Sequence, residues 1–234
     1  MRRSTPACLA LTFVLAAAPF AAASPLDARD LKPPIVTREE WGSKPGPIPA
    51  SRRQTPAWVT LHHAGELWRG GDPADFVRRM QRWGQNRPSL EKPPRDTYWP
   101  DLPYHYLIAP DGRIFEGRPV EYEPESNTLY PLNGNIGVEL MGDFNHQRPS
   151  LAQLRSAAKL TAWLLAAHGI APARVRTHQD AAPGQTDCPG KDFRRHMSDG
   201  RFLSWVREAL DGLEPSIAPG PPLPDGPTAP IPAP

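Results

Sequence analysis

His178 and Cys188 stand ten positions apart in the run RTHQDAAPGQTDCPG. Cys188 is followed by Pro189 and Gly190, a turn-forming pair, so the thiol is expected to be displayed from a loop rather than packed on a helix or strand face. The only other cysteine, Cys8, lies in an amino-terminal stretch with the features of a signal peptide, which leaves Cys188 without a disulfide partner. A lone thiol in an exported chain is a reactive nucleophile, a metal ligand or a residue without a role, and a nearby imidazole favours the ligand. A second imidazole source is the tandem His62-His63, directly after the apolar run Ala57 to Leu61 (AWVTL). Histidines at the C-terminal mouth of a buried strand sit where α/β folds place their sites. A third signal is Glu139, a carboxylate inside the apolar run NIGVELM from Asn135 to Met141. Burying it costs several kcal/mol unless it is paired, protonated or turned to a wet cavity. It reads as a general base, or else as an ion-pair partner of Arg113 or Arg118.

The elements that must position these groups follow from patterning. Ala57–Leu61 and Asn135–Met141 read as buried strands. Tyr104 to Ala109 and Arg113 to Glu116, joined by Pro110-Asp111-Gly112, read as a hairpin. The two-residue period puts Tyr104 and Tyr106 on one face, with Tyr104 near enough to the strand's start to reach a cleft. Asp72 and Pro73 open a helix whose stripe of Phe76, Met80 and Trp83 is expected in the core. Ser150 and Gln153 form a capping box for a second helix that Gly169 ends. Val175-Arg176-Thr177 is a short strand delivering His178, and Asp192–Met197 and Arg201–Leu210 are closing helices. Thr37 caps a single turn before Trp41, which plugs the flank of the core. Strands alternating with helices give an α/β class with a central mixed β-sheet flanked by helices.

Composition bounds the setting. Arg2 and Arg3, a short apolar run and Ala21-Ala22-Ala23 predict a signal peptide over residues 1–23, too short to span a bilayer, so no integral membrane segment is expected after cleavage. The 27 Lys and Arg include that pair; without it the basic residues equal the 25 acidic ones. A near-neutral balance gives no footprint for nucleic acid or an anionic membrane. The expected organisation is one domain over residues 24–213, with an irregular segment at 24–56 and a core at 57–210. Residues 214–234, rich in Pro, Ala and Gly, read as a disordered or polyproline-like tail without a function. The irregular stretch from Asn86 to Pro103 is either a wall of the substrate groove or a plain surface insertion. A monomer is expected.

In this order, the blocks TREEWG at Thr37, the strand ending in His62-His63, YHYLIAPDGRIFEGR at Tyr104, NIGVELMGDF at Asn135, PSLAQL at Pro149 and THQDAAPGQTDCPG at Thr177 resemble the zinc-dependent N-acetylmuramoyl-L-alanine amidases of type 2, a family that includes phage-lysozyme-type amidases and peptidoglycan recognition proteins. The resemblance runs from about Val36 to Leu210. It implies one catalytic Zn2+ held by His62, His178 and Cys188, with Asp187 adjacent to the last. It further implies Glu139 as general base and acid, Tyr104 as a hydroxyl that positions water or stabilises the oxyanion, and Thr186 as a weaker oxyanion contact. The substrate implied is peptidoglycan or a muropeptide, cut between the lactyl group and L-alanine in the periplasm or outside the cell. The alternative is a peptidoglycan-binding module that does not cut. Two departures stand out: the family's His-Thr pair is replaced by Glu125-Ser126-Asn127-Thr128, and the disulfide common in animal members is absent.

Overall fold

A computed structural model describes residues 27–86 and 99–234. The signal-peptide reading and most of the insertion lie outside them. Among the described residues six strands form one sheet in the order β1-β4-β3-β5-β2-β6: β1 Ile35–Val36, β2 Trp58–His63, β3 Tyr106–Ile108, β4 Ile114–Glu116, β5 Asn135–Leu140 and β6 Val175–Thr177. The β3/β4 hairpin is antiparallel and every other pairing is parallel, so the sheet is mixed. β1 lies in a segment expected to be irregular; its two residues pair with Ile114 and Phe115, a partnership no local signal reveals.

The central strands β2 and β5 are buried along nearly their whole length, which is why they read as apolar runs rather than alternating ones. α2, Leu151–His168, has the expected Ser150–Gln153 capping box and ends on Gly169 at φ +63°. Gln153 also donates from its side chain to the carbonyls of Met141 and Ile108, tying the helix to the ends of two strands. Trp163 of α2 meets Tyr106 edge-on at 5.9 Å, placing α2 on the Tyr106 face of the sheet. α5, Arg201–Leu210, packs on α2 and buries Phe202, Trp205 and Val206. The remaining helices are α1, Pro73–Gln85, α3, His178–Ala181, and α4, Lys191–Ser198. Trp41 is 1% exposed and donates from its indole to the Glu116 carbonyl, the plug expected of it.

Two expectations change. Phe76 is buried and Met80 partly so, but Trp83 is 46% exposed; the buried side of α1 runs instead through Val77, Gln81 and Gly84. Gln81 sits there because its amide is satisfied by Ser43 and Asp101. Residues 214–234 are not a free tail. Ile217 packs against the core, Ile231 is 6% exposed, and Pro230 bridges to Arg148. The sparse apolar residues of this stretch look too few to form a core, but they fill one already built by the rest of the chain. Among the described residues no helix is long and apolar enough to cross a membrane.

Candidate metal centre

The parallel register assembles the site at the C-terminal end of the sheet. β2 lies between β5 and β6; His62 is opposite Glu139, and Leu61 is opposite Thr177. His62 and Glu139 therefore share a face, and the residue after Thr177, His178, starts α3 at the level of His62. Thr177 caps α3 through a reciprocal capping box with Asp180, fixing the direction in which His178 leaves the strand. Cys188 arrives on the loop after α3. Its carbonyl accepts the Gln179 N–H at 2.8 Å and its own N–H donates to Thr186 Oγ1 at 3.1 Å. The loop is as expected, but the thiol is not displayed from it: Cys188 is only 7% exposed.

One donor atom from each of His62, His178 and Cys188 lies within 4.8 Å of the others, and all three residues are buried. Cys188 Sγ is 3.7 Å from His62 Nδ1. Bond lengths of about 2.0–2.3 Å around a tetrahedral ion set the edge between two such donors at roughly 3.5 Å, so the observed gap fits one shared cation. Two imidazoles and a thiol are also a donor set suited to zinc. Burial, with His178 next in effect, holds His62 well below the ordinary imidazole range, and burial lowers His178 to about 4; both are neutral, as ligands must be. Burial pushes the Cys188 thiol up, against the His63 N–H that reaches its sulfur at 3.3 Å. A cation between the three would supply the charge that favours the thiolate.

His63 does not join the cluster. Its Nδ1 accepts the Phe144 N–H at 3.1 Å, making it a bracket between β2 and the segment after β5. Asp187 is exposed and accepts from Asn145. Gly190 is required behind the loop: its φ is +80°, and a Cβ there would stand 2.6 Å from the Phe144 carbonyl carbon.

Glu139 is fully buried, and neither carboxylate oxygen has a hydrogen-bond partner among the described residues. Burial, with a smaller push from Glu66, holds its carboxyl well above the usual range. The ion-pair reading fails on geometry, because Arg118 is committed to Glu125 and Arg113 to Asp111. Tyr104 stands with its ring 4.9 Å from His62, and burial, then Glu139, keeps its phenol protonated. It does not share a face with Tyr106: β3 begins at Tyr106, so the strand period does not reach back to Tyr104, whose ring lies by Gly137. Thr186 is part-buried, its oxygen spent on the Cys188 N–H.

Three neighbours were not anticipated. Thr128 Oγ1 lies 2.6 Å and Ser126 Oγ 3.3 Å from His178 Nε2, and the Tyr130 ring is 5.4 Å from the His178 ring. Ser126 and Thr128 belong to the segment Glu125–Thr128 that stands where the family's His-Thr pair is missing, and its hydroxyls were the available signal.

The sequence profile of the Amidase_2 family, described as N-acetylmuramoyl-L-alanine amidase, matches residues 52–191. The chain belongs to this family. It is 33% identical over 132 residues to Peptidoglycan-recognition protein SD of Drosophila melanogaster, an alignment covering 54% of this chain and 64% of that one. It is 30% identical over 166 residues to Peptidoglycan recognition protein 1 of Bos indicus, covering 68% and 80% respectively. Among solved structures, the endolysin N-acetylmuramoyl-L-alanine amidase LysCS of Clostridium intestinale superposes with a TM-score of 0.53 at 22% identity, covering 71% of this chain and 95% of that one. Relatives of this Amidase_2 chain thus carry both amidase and recognition names, and its fold is theirs: a mixed sheet with flanking helices.

Proposed function

We propose that the protein is an exported zinc amidase that hydrolyses the amide between the lactyl group of N-acetylmuramic acid and L-alanine in peptidoglycan. The observation that carries this reading is the convergence of His62, His178 and Cys188 beside a buried carboxylate, Glu139, that has no hydrogen-bond partner among the described residues. Zinc bound by three protein ligands lowers the pKa of its water to about 7 and polarises a carbonyl. Glu139 takes the proton from the attacking water and returns it to the departing amine of L-alanine. Its raised pKa suits the half in which it gives up a proton; the charge of a cation bound beside it would favour the ionised form that accepts one. Tyr104, held protonated, donates a hydrogen bond to the developing oxyanion. The Thr186 hydroxyl is a weaker donor there, since its position is set by the Cys188 N–H. His178 is held through Nε2 by Thr128 and Ser126, the hydroxyl support that ligating histidines need to keep their orientation.

Recognition without cleavage is the second reading, favoured by the names of the curated relatives. A complete ligand set beside an unsatisfied base has no use in a pure binder, which favours the enzyme. Incubating the protein with purified peptidoglycan separates the two. Release of free stem peptides beginning with L-alanine supports the amidase; retention of intact glycopeptide on the protein, with no new amino termini, supports the binder and rejects the amidase.

A further inference from the structure

We propose that residues 214–234 form a strap that positions the Cys188 loop, with Ile231 as its anchor. That the loop holds a zinc ligand rests on the function proposed above; that the strap holds the loop does not. The stretch is rich in proline, which leaves carbonyls with few competing N–H donors of its own. Four cationic side chains donate to those carbonyls: Arg201 to Ala218 at 3.0 Å, Arg148 to Gly220 at 2.7 Å, Arg195 to Pro221 at 2.5 Å and Lys191 to Asp225 at 2.7 Å. Three of the four lie on α4 and α5, and Lys191 begins α4 directly after the Cys188 loop. Farther on, the strap becomes strand-like: the Arg148 N–H donates to the Ala229 carbonyl at 2.8 Å, and the Ile231 N–H returns a bond to the Arg148 carbonyl at 2.9 Å. Ile231 then enters the core and presses on Gly142, where a Cβ would stand 2.7 Å from Ile231 Cδ1 and 3.1 Å from the Phe144 ring.

The segment from Gly142 to Arg148 therefore has the strap on one side and the candidate metal centre on the other. On the inner side, the Phe144 N–H donates to His63 and its carbonyl accepts the Asp192 N–H at 3.0 Å. Asn145 accepts the Lys191 N–H at 3.0 Å and donates to Asp187 at 2.7 Å, so it grips the Cys188 loop from both ends. The His63 N–H reaches the Cys188 sulfur itself. Interiors are close-packed and transmit a local vacancy to their neighbours. Emptying the Ile231 site lets Phe144 relax away from Gly190 and His63, and the thiol loses its fixed position. Ile231 is thus a positioning residue for the site; it touches no reacting atom.

The test uses the full chain and Ile231→Ala, with Ile231→Leu as rescue and Glu214→Gln as a control at the outer end of the strap. Circular dichroism establishes that each is folded. Two quantities are then measured well below the melting temperature: the rate at which a thiol reagent modifies Cys188 in metal-free protein, resolved by peptide mapping, and zinc affinity by chelator competition. The strap predicts at least a tenfold faster modification in Ile231→Ala and about tenfold weaker zinc binding, the lower end of losses seen when support behind a ligand is removed. Ile231→Leu and Glu214→Gln should match the parent in both. Modification of Cys188 at the parental rate in folded Ile231→Ala overturns the strap. A parent that binds no zinc overturns the proposed function instead, and the thiol rates still decide the strap.

Discussion

Two buried glutamates show how differently this chain treats an interior carboxylate. Glu125 is 5% exposed and fully engaged: Arg52 donates to it, and both terminal nitrogens of Arg118 lie 3.2 Å from its Oε1. Arg118, 1% exposed, also donates to the carbonyls of Leu102 and Glu123, so every charge in the group is answered. Glu139 is as deeply buried, and among the described residues neither of its oxygens has a hydrogen-bond partner. A carboxylate that binds structure is paired; on the proposed function, one left unpaired beside three metal-type donors is stored for a reaction. The first should govern stability and leave chemistry alone, and the second should do the reverse.

Substitutions can break that division. Glu139→Gln should keep zinc and lower kcat by about 10²–10⁴, the usual contribution of a positioned acid-base group; a zinc-loaded variant with parental kcat removes Glu139 from the mechanism. The same change should stabilise the metal-free protein. The Glu139 carboxyl is held well above its ordinary 4.5, so the folded state keeps a proton that the unfolded chain gives up above that pH. Metal-free stability therefore falls as pH rises from there through the folded value. Glu139→Gln removes the slope and raises the melting temperature at pH 7, by about 2–4 °C for each kcal/mol relieved. Thermal melts of chelated protein across pH check the sign.

Glu125→Ala should act oppositely. It strands Arg118 in the interior and costs about 3–5 kcal/mol of stability, measured by denaturant unfolding, with kcat of the folded fraction near the parent. A stable Glu125→Ala protein with lost turnover would reverse the assignment of the two acids. His63→Ala should retain zinc while costing about 1–3 kcal/mol, because the buried Phe144 N–H loses its acceptor; loss of stoichiometric zinc would make His63 a ligand. The smallest change sharpens the picture at His178. Thr128→Val should weaken zinc binding about tenfold, and Thr128→Ser should restore it. Unchanged affinity in Thr128→Val would mean that the 2.6 Å contact carries no load.

Much of this was legible in the sequence because it is written in local signals. The capping box at Ser150, the buried runs of β2 and β5 and the hairpin turn at Asp111-Gly112 each depend on residues within a few positions of one another. Glu139 announced itself as a charge out of place in an apolar strand. What escaped depends on partners far along the chain. β1 has two residues and exists through β4. Ser126 and Thr128 meet His178 across a separation of 52 and 50 positions. Tyr104 left the expected face because the strand starts later than its apolar pattern suggests. The carboxy-terminal stretch looked coreless because the cavity that receives Ile231 is made by Gly142 and Phe144.

The centre itself is tested by counting metal. Protein prepared with zinc and dialysed is assayed by elemental analysis beside Cys188→Ala, both shown folded by circular dichroism. One zinc per chain in the parent and none in Cys188→Ala, with turnover on peptidoglycan lost in step, is the predicted result. A folded Cys188→Ala that keeps one zinc per chain, or a parent that takes up none, would contradict the account.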